Sequence, residues 1–293
     1  MRRNIFIIIA FIIALNISAE ARTLEEIKRT KEIRFCVTAY AFYTVIEPKE
    51  CRENCKVTGP IYEEIIAFVK TLGEDITPKF IHVEWDEQFH NKDGKTILDD
   101  SYTPELLNSG KCDCYPNNLT KNDWRLKKLD FAILFPSRMM VIVNNANKKN
   151  FKTISDLQGK SVSIVENSAQ HTWIIEQNKF KFSKKTVKIK LIREEIESIN
   201  SIINGEVDFT LIDSDLAIGF AKRYPKDIAV AFSVTPIDEI GWAFRKEDKD
   251  LISAVQFFFD EQINNDASVY NNIWQNHFGI SLKKFIRLIK STN

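Results

Sequence analysis

The chain has 293 residues, of which 44% are hydrophobic and 28% are charged. This length exceeds one typical hydrophobic core and predicts one large or two modest domains. Its 41 basic and 40 acidic side chains nearly balance, and the absence of a basic stripe argues against a nucleic-acid-binding protein. Metal sites usually combine paired, short-spaced cysteines and histidines, and the four histidines form no such pattern, so we expect neither a structural metal nor a cofactor.

The first 21 residues have the pattern of a secretory signal peptide. Arg2 and Arg3 precede an apolar run from Ile5 to Ile17, and an A-x-A sequence follows at Ala19–Ala21. The run is too short to span a bilayer comfortably, although an uncleaved anchor is the alternative. We therefore predict that residues 1–21 are removed and that the mature protein is exported to the periplasm, where disulfides form.

All five cysteines lie in the first part of the mature chain. Cys51 and Cys55 lie in a polar segment and can close a small ring, or one of them pairs with a neighbouring loop. Cys36 is expected in a buried strand, close to Cys112 or Cys114 in an adjacent strand. The odd count leaves at least one thiol free or paired between molecules.

Strands and helices alternate along the first half of the chain. Ile33–Thr38, Phe80–Trp85 and Cys112–Tyr115 are predicted strands. Between the first two, Ile61–Gly73 has apolar residues at helical spacing, a proline just before it and a glycine at its end, which predicts a helix. The polar stretch Asp86–Thr103 is expected to form an excursion from this scaffold.

A second alternation of strands and helices begins near residue 139. The predicted strands and helices are, in chain order, Met140–Val143, Ser161–Val165, Ala169–Asn178 (helix), Val187–Ile192, Ile196–Asn204 (helix) and Val207–Ile212. This spacing predicts an α/β domain with a mostly parallel sheet. The C-terminal part differs, with a predicted strand at Ile240–Lys246 and helices at Asp250–Asn264 and Asn271–Phe278.

The segment around Arg125 carries a specific resemblance. Arg125 follows Thr120 by five residues and precedes Phe131, which follows an aspartate, by six. This arrangement resembles a segment of the periplasmic amino-acid-binding proteins, the bilobed solute receptors of ABC importers of the bacterial family 3 type. The resemblance implies that the Thr120 hydroxyl and the Arg125 guanidinium hold a ligand α-carboxylate, which suits the planar, permanently charged fork of arginine. A solvated loop arginine is the alternative.

Two segments of the second half resemble the same family. Asp156–Val165 resembles the strand that opens the second lobe, and the Gly-Ser step that normally follows is replaced by Asn167-Ser168. Ser168 is then either a ligand contact at a helix N-terminus or an ordinary N-cap. Gly205–Asp213 resembles a segment whose last acid binds the ligand's ammonium group, so Asp213 has either this role or that of a helix cap.

Three further positions are implied by the resemblance. Asn118 lies where the family places a backbone carbonyl against the ammonium group. Tyr40 and Phe42 follow the first strand, where an aromatic ring usually covers the ligand. Each of the two aromatic residues has the alternative of simple core packing.

The resemblance covers nearly all of the mature chain and implies a type II periplasmic-binding-protein fold, the Venus flytrap. Two α/β lobes are expected, one formed by residues 22–137 and 236–293 and the other by residues 138–235, joined by two crossover strands. The expected protein is a monomer that captures an amino acid or a related small zwitterion and delivers it to the membrane subunits of an ABC transporter.

Two alternative functions remain open at this point. A periplasmic sensory or accessory receptor has the same sequence features as a transport protein. An enzyme on the same scaffold, such as a cyclohexadienyl dehydratase-like lyase, is the other alternative. Glu166 and His171 around Ser168 form the only apparent acid–base pair, and they lack the spaced, oriented partner that catalysis needs. We therefore expect no enzyme activity.

Overall fold

The computed structural model describes residues 21–98 and 104–291. The predicted signal peptide, residues 1–21, lies outside the described residues except for its last position. The end of the predicted excursion Asp86–Thr103 lies outside them as well. Within the two described ranges, no helix combines the length and the apolar character needed to cross a membrane.

Helices and strands alternate along both described ranges. The α-helices are α1 (Leu24–Thr30), α2 (Pro60–Leu72), α3 (Glu105–Asn108), α4 (Asp123–Leu126), α5 (Ala169–Phe180), α6 (Glu195–Ile203), α7 (Ser214–Arg223), α8 (Lys249–Asn264), α9 (Val269–Phe278) and α10 (Leu282–Ser291). The strands are β1 (Glu32–Val37), β2 (Val45–Glu47), β3 (Lys56–Thr58), β4 (Thr77–His82), β5 (Tyr115–Thr120), β6 (Leu129–Ser137), β7 (Met139–Asn144), β8 (Ser161–Val165), β9 (Lys188–Ile192), β10 (Phe209–Asp213), β11 (Ile228–Ser233) and β12 (Asp238–Arg245).

The strands form two main sheets, and the predicted α/β class is confirmed. A five-stranded sheet has the order β11-β7-β10-β8-β9, and a three-stranded sheet has the order β5-β12-β6. β1 and β4 form a separate parallel pair, and β2 and β3 an antiparallel one. The chain passes from the three-stranded to the five-stranded sheet through Arg138 alone, and it returns through residues 234–237.

The prediction of a mostly parallel sheet is wrong for the strands at these two passages. β8 pairs in parallel with β9 and β10, as expected for strands joined by helices. β7 pairs antiparallel with β10 and β11, and β12 pairs antiparallel with β5 and β6. β7 and β12 enter their sheets directly from the other sheet, so no crossover helix sets their direction.

Two predicted strands have different bounds in the structure. β4 ends at His82 instead of Trp85, and β5 begins at Tyr115 instead of Cys112. Ahead of β5, the Asp113 carboxylate accepts a hydrogen bond from the Arg34 backbone N–H at 2.7 Å. This side-chain hydrogen bond replaces a backbone hydrogen bond that the Arg34 N–H would donate if β5 began earlier.

The hydrophobic core agrees in part with the expected division of the chain into two lobes. One cluster, which includes Val141, Val162 and Ile174, lies entirely between residues 139 and 234. Another cluster joins the two halves and includes both Tyr43 and Phe220. The lobe boundaries given above therefore stay a prediction, to which the two passages between sheets and the first cluster lend support.

The start of α2 shows how local sequence sets the packing. Pro60 occupies the first helical turn, where its missing N–H costs nothing. Gly59 before it has a φ of +107°, and a Cβ there would lie 2.4 Å from the backbone oxygen of Tyr43. Only glycine fits this close approach, which fixes α2 against the segment after β1.

The disulfide predictions are confirmed. Cys51 pairs with Cys55, and Cys36 pairs with Cys112, one of its two predicted neighbours. Cys114 is buried and forms no disulfide. The Cys36–Cys112 bond joins β1 to the segment before β5, and its two cysteines are 76 positions apart in the sequence.

Helix α2 also carries a fully buried acid, Glu64. Its Oε1 accepts a hydrogen bond from Trp274 Nε1 at 3.1 Å. Burial raises the pKa of Glu64 to about 8; the Trp274 hydrogen bond acts against this rise, and the neighbouring Glu63 adds to it. Between the ordinary pKa of 4.5 and the raised one, the folded state binds a proton that the unfolded chain releases. Folding stability therefore falls as the pH rises through this window.

We expect Glu64→Gln to flatten this pH dependence, because the amide keeps the shape and cannot ionise. The variant should unfold at nearly the wild-type temperature at about pH 5 and at a higher temperature than wild type at about pH 9, as measured by thermal unfolding. Glu74→Gln is the matched control: its side chain is exposed, and Glu74 is not among the charges that raise the pKa of Glu64. Parallel pH profiles for wild type and Glu64→Gln would contradict the prediction.

Candidate ligand-binding site

An enclosed cavity lies at the C-terminal ends of strands from both main sheets. It is lined by Tyr40, Trp85, Asn118, Thr120, Arg125, Val165, Ser168, Ala169, Gln170, Glu195, Ser198, Leu211, Ile212, Asp213 and Leu216. β5 ends at Thr120, β8 at Val165 and β10 at Asp213. Ligands of open α/β sheets bind outside the carboxyl ends of the strands, as this cavity does. The structure thus brings together Tyr40, Asn118, Thr120, Arg125, Ser168 and Asp213 of the predicted set.

Arg125 is a buried cation at one side of the cavity, with 1% of its surface exposed. Its Nη1 donates a hydrogen bond to the Thr120 backbone oxygen at 2.8 Å. The guanidinium carbon lies 4.9 Å from the ring centre of Phe89 and 5.2 Å from that of Trp124. These aromatic faces attract the cation and restrict its position. Trp124 therefore helps to hold the guanidinium.

Asn118 presents an unusual buried amide to the cavity. The residue is 3% exposed, and neither its side-chain oxygen nor its side-chain nitrogen has a hydrogen-bond partner within the part of the chain that the structure describes. Buried amide groups are nearly always paired. Its φ of 49° is also rare for a residue with a side chain, although asparagine tolerates this conformation better than most. Both features are typical of a site that a ligand completes.

Asp213 is a buried acid that does not cap a helix. It occupies the N-cap position of α7, but its side chain makes no capping hydrogen bond. Burial raises the pKa of Asp213 well above its ordinary value, and the carboxylates of Asp215 and Asp238 raise it further. A hydrogen bond with Gln170 and the charge of Arg125 lower it. A cation entering the cavity would favour the ionised form of Asp213.

Ser168 is a helix cap that also lines the cavity. Its Oγ accepts a hydrogen bond from the His171 backbone N–H at 3.0 Å and donates one to the Val165 backbone oxygen at 2.7 Å. The N-cap alternative is therefore observed, and a ligand contact by Ser168 stays a prediction. Asn167 before it has a φ of 55°, so it adopts the left-handed conformation that the usual glycine would take.

The two predicted aromatic residues have different positions. Tyr40 lines the cavity, and its ring stacks on that of Trp85 with a centre distance of 6.1 Å. Phe42 is not among the lining residues. Its ring lies 3.6 Å from the guanidinium carbon of Arg223 and packs on Gly219 of α7, where a Cβ would come within 2.0 Å of it. Phe42 thus takes its alternative role, core packing between the two halves of the chain.

The cavity contains residues that the sequence analysis missed. They are Trp85, Val165, Ala169, Gln170, Glu195, Ser198, Leu211, Ile212 and Leu216. Glu195 is the first residue of α6, shortly after the end of β9. The rule that strand ends carry ligand-binding side chains would have indicated it. The same rule would have indicated Trp85, which is the last residue of the predicted strand Phe80–Trp85, although the strand in the structure ends at His82.

The space inside the cavity is small. The volume between the lining atoms is about 440 Å³, but the centre of a water molecule can occupy only about 20 Å³ of it. This corresponds to one or two water molecules. Among the residues that the structure describes, no group of three or more His, Cys, Asp or Glu side chains is placed to hold a metal ion.

The two halves of the chain also meet through polar contacts beside the cavity. The Tyr43 hydroxyl donates a hydrogen bond to Asp215 Oδ2 at 2.7 Å. Asn167 Nδ2 donates one to Asp86 Oδ1 at 2.5 Å. Burial raises the pKa of Asp215 to about 6, and the hydrogen bond from Tyr43 opposes this rise. The narrow cavity is therefore enclosed by direct bonds between the halves.

Comparisons with known proteins give relatives of two kinds, a transglycosylase and an amino-acid-binding protein. No protein-family model matches the chain. The membrane-bound lytic murein transglycosylase F of Pseudoalteromonas translucida is 26% identical over 280 residues, which cover 92% of this chain and 53% of that protein. The L-cystine-binding protein TcyJ of Escherichia coli is 28% identical over 204 residues, 69% of this chain and 68% of that protein. The chain thus spans about half the length of the transglycosylase.

Solved structures share the architecture. The ancestral amino-acid-binding protein AncCDT-1, a precursor of cyclohexadienyl dehydratase, has a TM-score of 0.68 at 22% identity, covering 87% of this chain and 99% of its own. The amino acid ABC transporter substrate-binding protein AbpA of Streptococcus pneumoniae, bound to L-arginine, has a TM-score of 0.67 at 19% identity, covering 89% and 99%. The chain has the type II periplasmic-binding-protein fold. The resemblance drawn from the sequence is thereby confirmed.

The same relatives also provide information on the location of the protein and on whether it is an enzyme. The binding-protein relatives and the two disulfide bonds indicate an extracellular or periplasmic location. The binding-protein relatives also favour a non-enzymatic role, while the transglycosylase and the dehydratase precursor keep an enzymatic one open.

We expect Tyr43→Phe to raise the pKa of Asp215 further, because the lost hydroxyl no longer favours the carboxylate. The variant should also lose about 1–3 kcal/mol of stability near neutral pH, since a buried acceptor is left without its donor. A carbon-13 NMR titration of the Asp carboxyl groups measures the first effect, and denaturant unfolding measures the second. Tyr62→Phe, whose ring is only partly buried, is the control. An unchanged Asp215 titration would refute the assignment.

Proposed function

We propose that this protein captures an amino acid or a related small zwitterion in the cavity and delivers it to an ABC importer. One observation carries the proposal: Arg125 and Asp213, of opposite charge and from different halves of the chain, line the same enclosed cavity. A free amino acid presents the complementary pair, a carboxylate and an ammonium group. Charges that meet in a desolvated site interact far more strongly than they do in water.

The carboxylate of the ligand binds the guanidinium of Arg125. The aromatic faces of Phe89 and Trp124 and the Thr120 carbonyl already fix the guanidinium, so little ordering is needed on binding. The Thr120 side chain adds a hydroxyl to the same contact. A bidentate arginine–carboxylate pair of this kind is among the stronger hydrogen-bonded pairs in proteins.

The ammonium group of the ligand binds Asp213. Burial raises the pKa of Asp213, and an arriving cation acts in the opposite direction and favours the carboxylate. The backbone carbonyl of Asn118 faces the same group in the role that the resemblance implies, and its unpaired side-chain amide offers a further polar contact.

Entry of the ligand requires the lobes to separate. The space open to the centre of a water molecule, about 20 Å³, is too small for an amino acid. Residues 22–137 with 236–293 act as one lobe and residues 138–235 as the other, with the hinge at Arg138 and at residues 234–237. Hinge motion around a ligand is a common mode of domain closure.

Delivery takes place outside the cytoplasm. The predicted signal peptide and the disulfide bonds suit a monomeric periplasmic protein. Its expected partners are the membrane subunits of the importer. A sensory receptor of the same ligand is the closest alternative, and deletion of the gene separates the two, because only loss of a transport component abolishes uptake.

A second ligand class is favoured by one observation. The transglycosylase relative matches 92% of the chain, and its name identifies murein as the polymer on which it acts. A murein fragment that contains amino acids offers the same carboxylate to Arg125. It therefore belongs in the ligand screen beside the free amino acids.

We expect at least one common amino acid to stabilise the protein from residue 22 onward in a thermal-shift screen. A ligand that binds only the folded state adds about 2.7 kcal/mol at roughly 100 times its dissociation constant. Arg125→Gln and Asp213→Asn should each weaken binding by about 3–5 kcal/mol, because either change leaves one ligand charge buried and unpaired. Calorimetric titration measures the loss.

Matched controls keep this test specific. Arg29→Gln and Asp227→Asn make the same charge changes at exposed positions and should leave binding unchanged. Circular dichroism establishes that each variant is folded. If Arg125→Gln and Asp213→Asn fold and bind like wild type, the proposed charge pair is wrong. If only murein fragments bind, the second ligand class replaces the first.

A further inference from the structure

The cavity contains one more acid than a simple zwitterion needs. Its charged lining residues are Arg125, Asp213 and Glu195. The first two match the carboxylate and the ammonium group that every amino acid carries. Neither of these two ligand groups is then available to pair with the carboxyl group of Glu195.

Helix capping does not account for Glu195. The capping box of α6 is formed by Glu194 and Glu197, and the Glu194 backbone N–H donates a hydrogen bond to Glu197 Oε1 at 3.2 Å. An acid in the first turn interacts favourably with the helix dipole, but this benefit is available at the exposed Glu197 as well. A carboxyl group in the cavity is not needed for it.

No protein cation neutralises Glu195 in the described parts of the chain. The nearby Lys49 pairs with Glu194 instead, with Nζ 2.6 Å from Oε1, and no ion pair among the described residues includes Glu195. Burial raises the pKa of Glu195 to about 8; a hydrogen bond with its own backbone acts against this rise, and the charges of Glu194 and Glu197 add to it. The Glu195 carboxyl group is therefore available to pair with a cation in the cavity.

The surroundings of Glu195 also suit a cationic chain. Trp85 and Tyr40 stack on each other and line the same cavity, and the Trp85 ring already lies 5.8 Å from the guanidinium carbon of Arg125, as expected for aromatic rings that attract cations. Leu211 and Leu216 supply apolar surface, against which the methylene groups of such a chain pack. An acidic side chain would instead add a second negative charge beside Glu195.

We propose that the ligand is an amino acid whose side chain carries a second positive charge, and that Glu195 pairs with this charge. This inference rests on the proposed function and narrows its ligand to the basic amino acids and related diamino acids. Arg125 and Asp213 hold the part common to all amino acids, and Glu195 determines which side chain is preferred.

The test compares pairs of amino acids with similar side chains, of which one member carries a positive side-chain charge and the other is neutral. Lysine is paired with norleucine, ornithine with norvaline, and arginine with citrulline, and each is titrated calorimetrically into wild type, Glu195→Gln and Glu197→Gln. Glu197→Gln is the matched control, because it makes the same charge change on the same helix and glutamine preserves a capping box. Norleucine and norvaline also report whether each variant retains a folded site.

Wild type should bind the cationic member of at least one pair on the order of 10- to 100-fold more tightly, as expected for a buried charge-assisted hydrogen bond. Glu195→Gln should abolish this preference and leave the affinity for the neutral member within about 3-fold, while Glu197→Gln retains the preference. If wild type binds neutral or acidic amino acids more tightly than every cationic one, the inference fails and the proposed function stands. If Glu195→Gln keeps the full preference, the inference likewise fails. If no amino acid binds at all, both fail.

Discussion

The buried guanidinium of Arg125 is the constraint on which the site depends. A charge that is removed from water this completely costs several kcal/mol unless its surroundings compensate. Here the compensation comes from the Thr120 carbonyl and from the aromatic faces of Phe89 and Trp124. These groups position the cation at the end of β5 and leave a cavity in front of it. In the proposed function, a ligand carboxylate binds the guanidinium in this cavity.

Acids dominate the opposite side of the cavity, and burial controls their charge. The pKa of Asp213 is raised well above its ordinary value, that of Asp215 to about 6 and that of Glu195 to about 8, with burial as the largest cause in each case. If the two halves close on a ligand as proposed, a cationic ligand would offset the cost of burying these acids, and binding and closure would then favour each other.

The fold places these groups together through a repeated local geometry. α5, α6 and α7 each begin just after a strand of the five-stranded sheet, at Ala169, Glu195 and Ser214. Their first turns consequently meet at one edge of the sheet, where unpaired backbone N–H groups and cap residues collect. The three-stranded sheet faces this edge with Thr120 and Arg125. Two passages of the chain between the sheets keep the two edges opposed, and both are short enough to act as a hinge.

The sequence by itself determined the alternation of strands and helices, the Cys51–Cys55 ring as one of two possible pairings, and, through the family resemblance, the candidates Arg125 and Asp213, because each depends on residues that are close together in the chain. The tertiary structure decided the direction of β7 and β12, the packing of Phe42 on α7 rather than in the cavity, and the presence of Trp85 and Glu195 in its wall. These features depend on which distant segments pack against each other. A local pattern fixes a side chain's place on its own strand or helix, whereas its neighbours across a cavity exist only once the two sheets have been brought face to face.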